Sequence, residues 1–261
     1  MDPQQVKSLA GDLLEGRVSL QQFVDRITTP ATINLSDCRV DLDRAGRCGL
    51  PEVVYGEGKT LAALLKITAT LQNNGHEVLI TRLSSDTAEA ISARYPVGVY
   101  NSVARTMRIG VDSQEESKTW AARGRVCVVA AGTSDLPVAE EARETALWTG
   151  VTVDSVYDVG VAGPHRLSEE LETLRAADAV VVVAGMEAAL ASVVGGHVAS
   201  PVIAVPTSVG YGASLEGMTA LLSILTSCAS NVIAVNIDAG FKGGYVAGLI
   251  GRQLAQLRKE P

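Results

Sequence analysis

Five stretches in the second half of the chain are nearly unbroken apolar runs: RVCVVAAG, TVDSVYDVG, AVVVVAG, PVIAVPTS and VIAVNID. They read as strands buried on both faces. Between them lie segments of helical character, roughly LPVAEEARETALWTG, LSEELETLRAAD, EAALASVVGG, SLEGMTALLSILTSCA and a last one reaching Leu257. Strand–helix alternation means a parallel sheet covered on both faces. Five such units predict a flavodoxin-like three-layer αβα sandwich. Composition agrees: aromatics are only 4%, while glycines number 25. Small and β-branched residues suit closely packed parallel βα units better than an antiparallel sandwich.

The first half is less regular. Residues 3–27 suggest two short amphipathic helices, with Ser19 as N-cap of LQQFVDRI. Residues 31–50 are polar and read mostly as loop. PEVVY is strand-like, KTLAALLKITATLQNNG is a helix ending at Gly75, and EVLITRL is a strand. A helix opens at Ser85, and VGVYNSVARTMRI returns to strand character. The polar segment GVDSQEESKTWAAR, residues 110–123, reads as a linker or short surface helix. The expected organisation is a smaller α+β domain over 1–122 and an αβα domain over 123–261.

Charge and hydropathy exclude some classes. The net charge is −7 and no dense Lys/Arg stripe is present, so no nucleic-acid partner is expected. No uncharged apolar run is long enough to cross a bilayer, and MDPQQVKSLAGDLLEG has neither the basic nor the apolar region of a signal peptide. A cytoplasmic protein is expected. Cys38, Cys48, Cys127 and Cys228 are scattered without zinc spacing and are expected as free thiols.

In an open parallel sheet, ligands bind beyond the carboxyl ends of the strands. The first strand delivers Gly132, Thr133, Ser134 and Asp135 there. The second delivers Asp158, His165 and Arg166. The third gives Gly185, Met186 and Glu187. The fourth gives Ser208 and Gly210, and the fifth Asn236 and Asp238. Each group has an ordinary reading alone. Thr133, Ser134 and Asp135 can cap the next helix, Glu187 can complement a helix dipole, and the glycines can serve turns. Five such exits on one rim make a site. GEGKT at 56–60 is a decoy for a P-loop. The first glycine of that motif would fall at Val53, so a nucleoside triphosphatase is not expected.

AGTSD, GPHR, PVIAVPTS and ALLSIL resemble the aminoimidazole ribonucleotide (AIR) carboxylase family, PurE, over about Arg125 to Leu257. The purine enzymes differ in carrying a Ser-Ala-His-Arg turn and a Gly-rich loop with its own histidine. Their single-domain form has no counterpart of residues 1–122. GLPEVVYGEGKT, AAGTSDLPVAEEA, VVVAGMEAALASVVGG, VPTSVGYGAS, SCAS and NIDAGF resemble the LarB family over nearly the whole chain. That resemblance implies a homo-octamer with interface active sites. It also implies nicotinic acid adenine dinucleotide and CO2 as substrates. The ring is carboxylated at C5 and the phosphoanhydride is cut, giving pyridinium-3,5-dicarboxylate mononucleotide and AMP.

By the same resemblance Cys228 is the nucleophile and Glu187 the base, with Ser134 and Asp135 in substrate binding and hydrolysis. The chemistry fits these types. An electron-poor pyridinium does not attack CO2 until a nucleophile adds at C4 and makes C5 enamine-like; a thiolate adds and departs readily. No covalent cofactor is implied. Magnesium is a candidate for the hydrolysis, although no carboxylate cluster demands it. Cys228 is expected at the end of a helix that starts at the active rim, hence far from its own site and buried, so it would act in a neighbouring subunit's site. Two other functions fit the same residues: carboxylation of AIR itself, and nucleotide binding without turnover.

Overall fold

The computed structural model describes residues 3–28, 30–36, 38–110 and 124–258. The C-terminal unit is a five-stranded, wholly parallel sheet. Its strands are β7 (Arg125–Ala130), β8 (Thr152–Val156), β9 (Ala179–Ala184), β10 (Val202–Pro206) and β11 (Val232–Ala234), in the spatial order β11-β10-β9-β7-β8. This is the doubly wound flavodoxin-like order, with its switch point between β7 and β9.

Successive side chains alternate between two apolar layers, as period-two geometry dictates. Val180 and Val182 face one layer with Leu167, Leu174, Leu190 and Ile224. Val181 and Val183 face the other with Ala139, Ala142, Ala146 and Ala247. Every residue of β9 is buried. Each valine buried in this way contributes roughly 1.5–3 kcal/mol relative to exposure.

α6 (Leu136–Trp148) and α11 (Gly240–Leu257) cover one face. Gly240, Gly244 and Gly248 recur every fourth residue along one side of α11. A Cβ at these positions would collide with the Val138 carbonyl, the Ala142 carbonyl and the Thr149 side chain. The two helices therefore touch nearly backbone to backbone. α7 (Pro164–Glu169), α8 (Leu171–Arg175), α9 (Ala189–Gly195) and α10 (Met218–Leu225) cover the opposite face.

Two expected helices differ. LSEELETLRAAD is divided into α7 and α8, and α7 starts at Pro164, whose ring suits the first turn. SLEGMTALLSILTSCA does not begin as an α-helix at Ser214. Gly212–Gly217 forms a 3₁₀ segment, Leu215 and Glu216 take positive φ, and α10 begins at Met218.

In the N-terminal unit, α1 (Pro3–Leu14) and α2 (Leu20–Thr28) are the two expected helices. The Ser19 Oγ accepts from the Gln22 N–H at 3.2 Å and the Gln22 side chain accepts from the Ser19 N–H at 2.8 Å. This reciprocal capping box satisfies two orphan donors of the first turn. Residues 31–50 are not mostly loop. β1 (Thr32–Asn34) pairs antiparallel with β2 (Arg39–Asp41), and α3 (Arg44–Cys48) follows. Their polar outer faces hid the signal, since among the described residues of this stretch only Val40, Leu42 and Leu50 are buried.

β3 (Val54–Tyr55), β4 (Val78–Thr81), β6 (Thr106–Ile109) and β5 (Val99–Asn101) form a mixed sheet in that order. α4 (Leu61–Asn73) and α5 (Ser85–Arg94) complete the unit. Thr60 caps α4, its Oγ1 accepting from the Ala63 N–H at 3.2 Å. Of the segment read as a linker, all but Gly110 lies outside the described residues. Leu50 and Leu79 bury themselves against Trp148, Phe241, Tyr245 and Leu249, so this sheet rests on the outer side of α6 and α11.

Candidate active site at the sheet's switch point

A cleft of about 400 Å³ opens beyond the carboxyl ends of β7, β8 and β9. Eight of the residues expected on the rim line it: Gly132, Thr133, Ser134, Asp135, Asp158, Gly185, Met186 and Glu187. His165, Arg166, Ser208, Gly210, Asn236, Asp238 and Cys228 do not line it.

Asp135 is the buried polar group of the cleft. It closes a short 3₁₀ turn, Thr133–Asp135, that joins β7 to α6. The Thr207 Oγ1 donates to its Oδ1 at 2.6 Å and the Gly132 N–H donates to its Oδ2 at 3.0 Å. Burial raises its carboxyl above the ordinary 3.8. The Thr207 hydroxyl and the Gly132 and Gly185 amides oppose that rise, and the charge of Asp238 adds to it. The Gly132 amide, a donor that an anion at this helix start would use, is thus already taken by the protein's own carboxylate.

The β8 exit is braced from behind. Asp158 sits at φ +58 and pairs with the Arg166 Nη1 at 3.0 Å. A Cβ at Gly163 would come within 2.7 Å of the Arg166 Nε, so glycine lets this guanidinium lie against the loop. Arg166 therefore shapes the wall rather than lining it. His165 is exposed on the first turn of α7.

The β9 exit is the most constrained. Met186 and Ala188 take φ +54 and +51. The Met186 N–H donates to the Val209 carbonyl at 2.9 Å. A Cβ at Gly185 would clash with the same carbonyl and with Thr207. Left-handed backbone at non-glycine residues costs about 1–3 kcal/mol and persists where surrounding contacts impose it. Here it holds Glu187, which is exposed, at the mouth of the cleft.

The last two exits form a second tier. Asp238, at φ +54, accepts the Ser208 N–H on its Oδ1 at 2.9 Å, and its own N–H donates to the Pro206 carbonyl at 2.9 Å. It ties the end of β11 to the end of β10. Gly210 stands against Ser214 and Met186. Thr207, absent from the sequence expectation, is the residue of PTS that turns inward; Ser208 is exposed. Both carry hydroxyls, and only the path of the chain beyond the end of β10 separates them.

Cys228 is exposed, not buried. α10 ends at Leu225, and the SCAS turn follows it. The Ser227 and Ser192 hydroxyls lie 2.8 Å apart, which fixes this turn to α9. Cys127, by contrast, is wholly buried in β7 and its thiol is pushed up to about 12, chiefly by burial. It has no nucleophilic character near neutral pH.

Most of the lining is small or apolar, and its charged groups are carboxylates. Asp135, Asp158 and Glu187 reach the cleft, and among the described residues no lysine or arginine lines it. Among the described residues no group of three or more His, Cys, Asp or Glu side chains is placed to hold a metal ion.

A doubly wound sheet with a cleft at its switch point, floored by a buried carboxylate, defines a small-molecule site of the α/β enzyme type. Residues 125–260 match the AIR carboxylase family, and residues 32–111 match the LarB/PurE-like N-terminal domain. The chain belongs to the AIR carboxylase family, in its LarB-like two-domain form, and its C-terminal domain is of carboxylase type. An uncharacterized protein of Methanocaldococcus jannaschii is 41% identical over 222 residues, spanning 82% of this chain and 84% of its own. Among solved structures, a Treponema denticola PurE2 variant matches at 22% identity and TM-score 0.40, covering 53% of this chain and 83% of that one. Among the described residues no helix is long and apolar enough to cross a membrane.

Proposed function

We propose that this protein carboxylates C5 of nicotinic acid adenine dinucleotide with CO2 and then hydrolyses its phosphoanhydride. The products would be AMP and pyridinium-3,5-dicarboxylate mononucleotide, the starting compound for a nickel-pincer nucleotide cofactor. The observation that carries this reading is Glu187, an exposed carboxylate held at the mouth of the cleft by the constrained β9 exit, where it can take a ring proton. The two-domain form of the family supports it further.

In this reading the Cys228 thiolate adds to C4, C5 captures CO2, and Glu187 takes the C5 proton as the thiolate leaves. The positive ring lowers the thiol pKa when it binds. Cys228 lies outside its own cleft, so it acts on a substrate held by a neighbouring copy. Exposed Met218, Leu222 and Leu225 on the helix leading to it support such burial between subunits of a homo-octamer. Asp135 and Ser134 hold the substrate and serve the hydrolysis. Magnesium, where required, enters on the diphosphate itself, and the reaction takes place in the cytoplasm.

The test is a product assay with wild type and Cys228→Ala, using the dinucleotide and bicarbonate, with and without magnesium, read by mass spectrometry. AMP and a nicotinate mononucleotide heavier by one carboxyl group are expected from wild type, and neither from the variant. If wild type leaves the dinucleotide unchanged but carboxylates AIR, the purine reading replaces this one. If it binds the dinucleotide without turnover, the protein is a nucleotide-binding module.

A further inference from the structure

We infer that Arg82 is a positioning residue, through which the N-terminal domain holds the β10–β11 rim of the cleft. Arg82 follows β4 and takes φ +56. Its turn is fastened within its own domain: the Leu83 N–H donates to the Arg105 carbonyl at 2.8 Å, and the Arg105 Nε donates to the Leu83 carbonyl at 3.2 Å. From there the side chain crosses into the other domain. Its Nε meets the Glu141 Oε1 at 3.1 Å and its Nη2 donates to the Asp238 carbonyl at 2.5 Å.

Glu141 is buried, and its other oxygen accepts the Phe241 N–H at 3.0 Å. Arg82 and Glu141 together grip the 238–241 turn at both ends. Gly240 makes room for this grip, since a Cβ there would lie 3.0 Å from the Glu141 carboxylate. The turn carries Asp238, whose side chain holds the Ser208 amide. Ser208 follows Thr207, which bonds the Asp135 carboxylate. Three hydrogen bonds and the Thr207–Ser208 peptide link thus connect the N-terminal domain to the floor of the cleft.

A planar guanidinium serves two acceptors in different directions, which a lysine ammonium on a flexible stem does less well. The series ends on groups that touch the cleft, while Arg82 itself does not line it. Its effect is therefore on alignment. Misplacement of a binding group by an ångström lowers turnover by up to roughly a hundredfold. The positioning stands on geometry alone; its effect on turnover rests on the reaction proposed above.

The test combines hydrogen–deuterium exchange of the full chain, without substrate, and steady-state kinetics. Arg82→Gly keeps the left-handed backbone accessible. Arg82→Gly/Glu141→Gln removes the buried unpaired charge as well, which guards against simple unfolding. Both are expected to exchange faster at residues 207–210 and 236–241 while the β7 and β9 amides are unchanged. kcat should fall roughly ten- to hundredfold with little change in KM. Guanidinium ion should restore part of both in Arg82→Gly, and Arg82→Lys should fall between. Unchanged exchange at the rim, a rise spread over the whole chain, or faster rim exchange with full kcat each overturns the inference. If wild type does not turn over the dinucleotide yet the rim loosens as described, the reaction reading fails and the positioning stands.

Discussion

At the scale of single residues, Asp135 has the environment of a functional group. It is buried, its carboxyl is raised by that burial, and it is held by donors from β7, β9 and β10. The Thr207 hydroxyl favours the charged form, so its removal should raise the carboxyl pKa further. Carbon-13 NMR of the Asp135 carboxyl should show a titration above 3.8 in wild type, displaced upward again in Thr207→Val. The stability consequence has a definite sign. A carboxyl with a folded pKa above its unfolded one contributes most below pH 3.8 and loses that contribution as pH rises through the folded value. Wild type should therefore lose stability relative to Asp135→Asn as pH climbs through that window, as read from urea midpoints. The sequence placed Asp135 on the rim because its strand exit is a local pattern. It did not separate Thr207 from Ser208, since both are hydroxyl residues just past the end of β10 and the turn that orients them leaves no local pattern.

At the scale of elements, α6 and α11 pack nearly backbone to backbone. Gly240 and Gly244 lie on one face of α11, and the Val138 and Ala142 carbonyls of α6 occupy the space their side chains would fill. Gly244→Ala would drive a methyl into the Ala142 carbonyl. A loss of about 1–3 kcal/mol is expected, seen as a lower Tm by calorimetry. Gly75→Ala is the contrast: nothing lies within 4 Å of the added Cβ, and the strain comes only from φ +76 at the end of α4. The glycine spacing was visible in the sequence, but its partner was not. Periodicity reveals that a face is small, not which helix it meets.

At the scale of the whole molecule, the N-terminal sheet is joined to the αβα unit by both apolar and charged contacts. Leu50 and Leu79 meet Trp148 in a buried cluster. Beside it, Arg108 reaches the buried Glu144 at 2.7 Å and Asn101 reaches Glu140 at 2.7 Å. Such an interface should couple the two units so that wild type unfolds in a single transition. Leu79→Ala empties a fully buried site at this junction and should cost about 2–5 kcal/mol. Urea unfolding followed by circular dichroism should then show an early phase from the N-terminal unit and a later one from the αβα unit. A single transition at an unchanged midpoint would show that the cluster does not couple them.

The sequence by itself determined the parallel sheet, its five strand exits and the placement of Asp135, Asp158 and Glu187 on one rim. Each of these follows from patterns a few residues long: apolar runs, helical spacing, and glycine or hydroxyl groups at strand ends. It also implied the β1–β2 region incorrectly as loop, because short, polar-faced strands carry little periodic signal. Only the tertiary structure decided that Arg82 meets Asp238 across 156 residues, that Thr207 rather than Ser208 turns inward, and that Cys228 is exposed. Contacts between distant segments leave no local pattern in a single chain. They are fixed when the layers come together and buried polar groups find the partners that their desolvation requires.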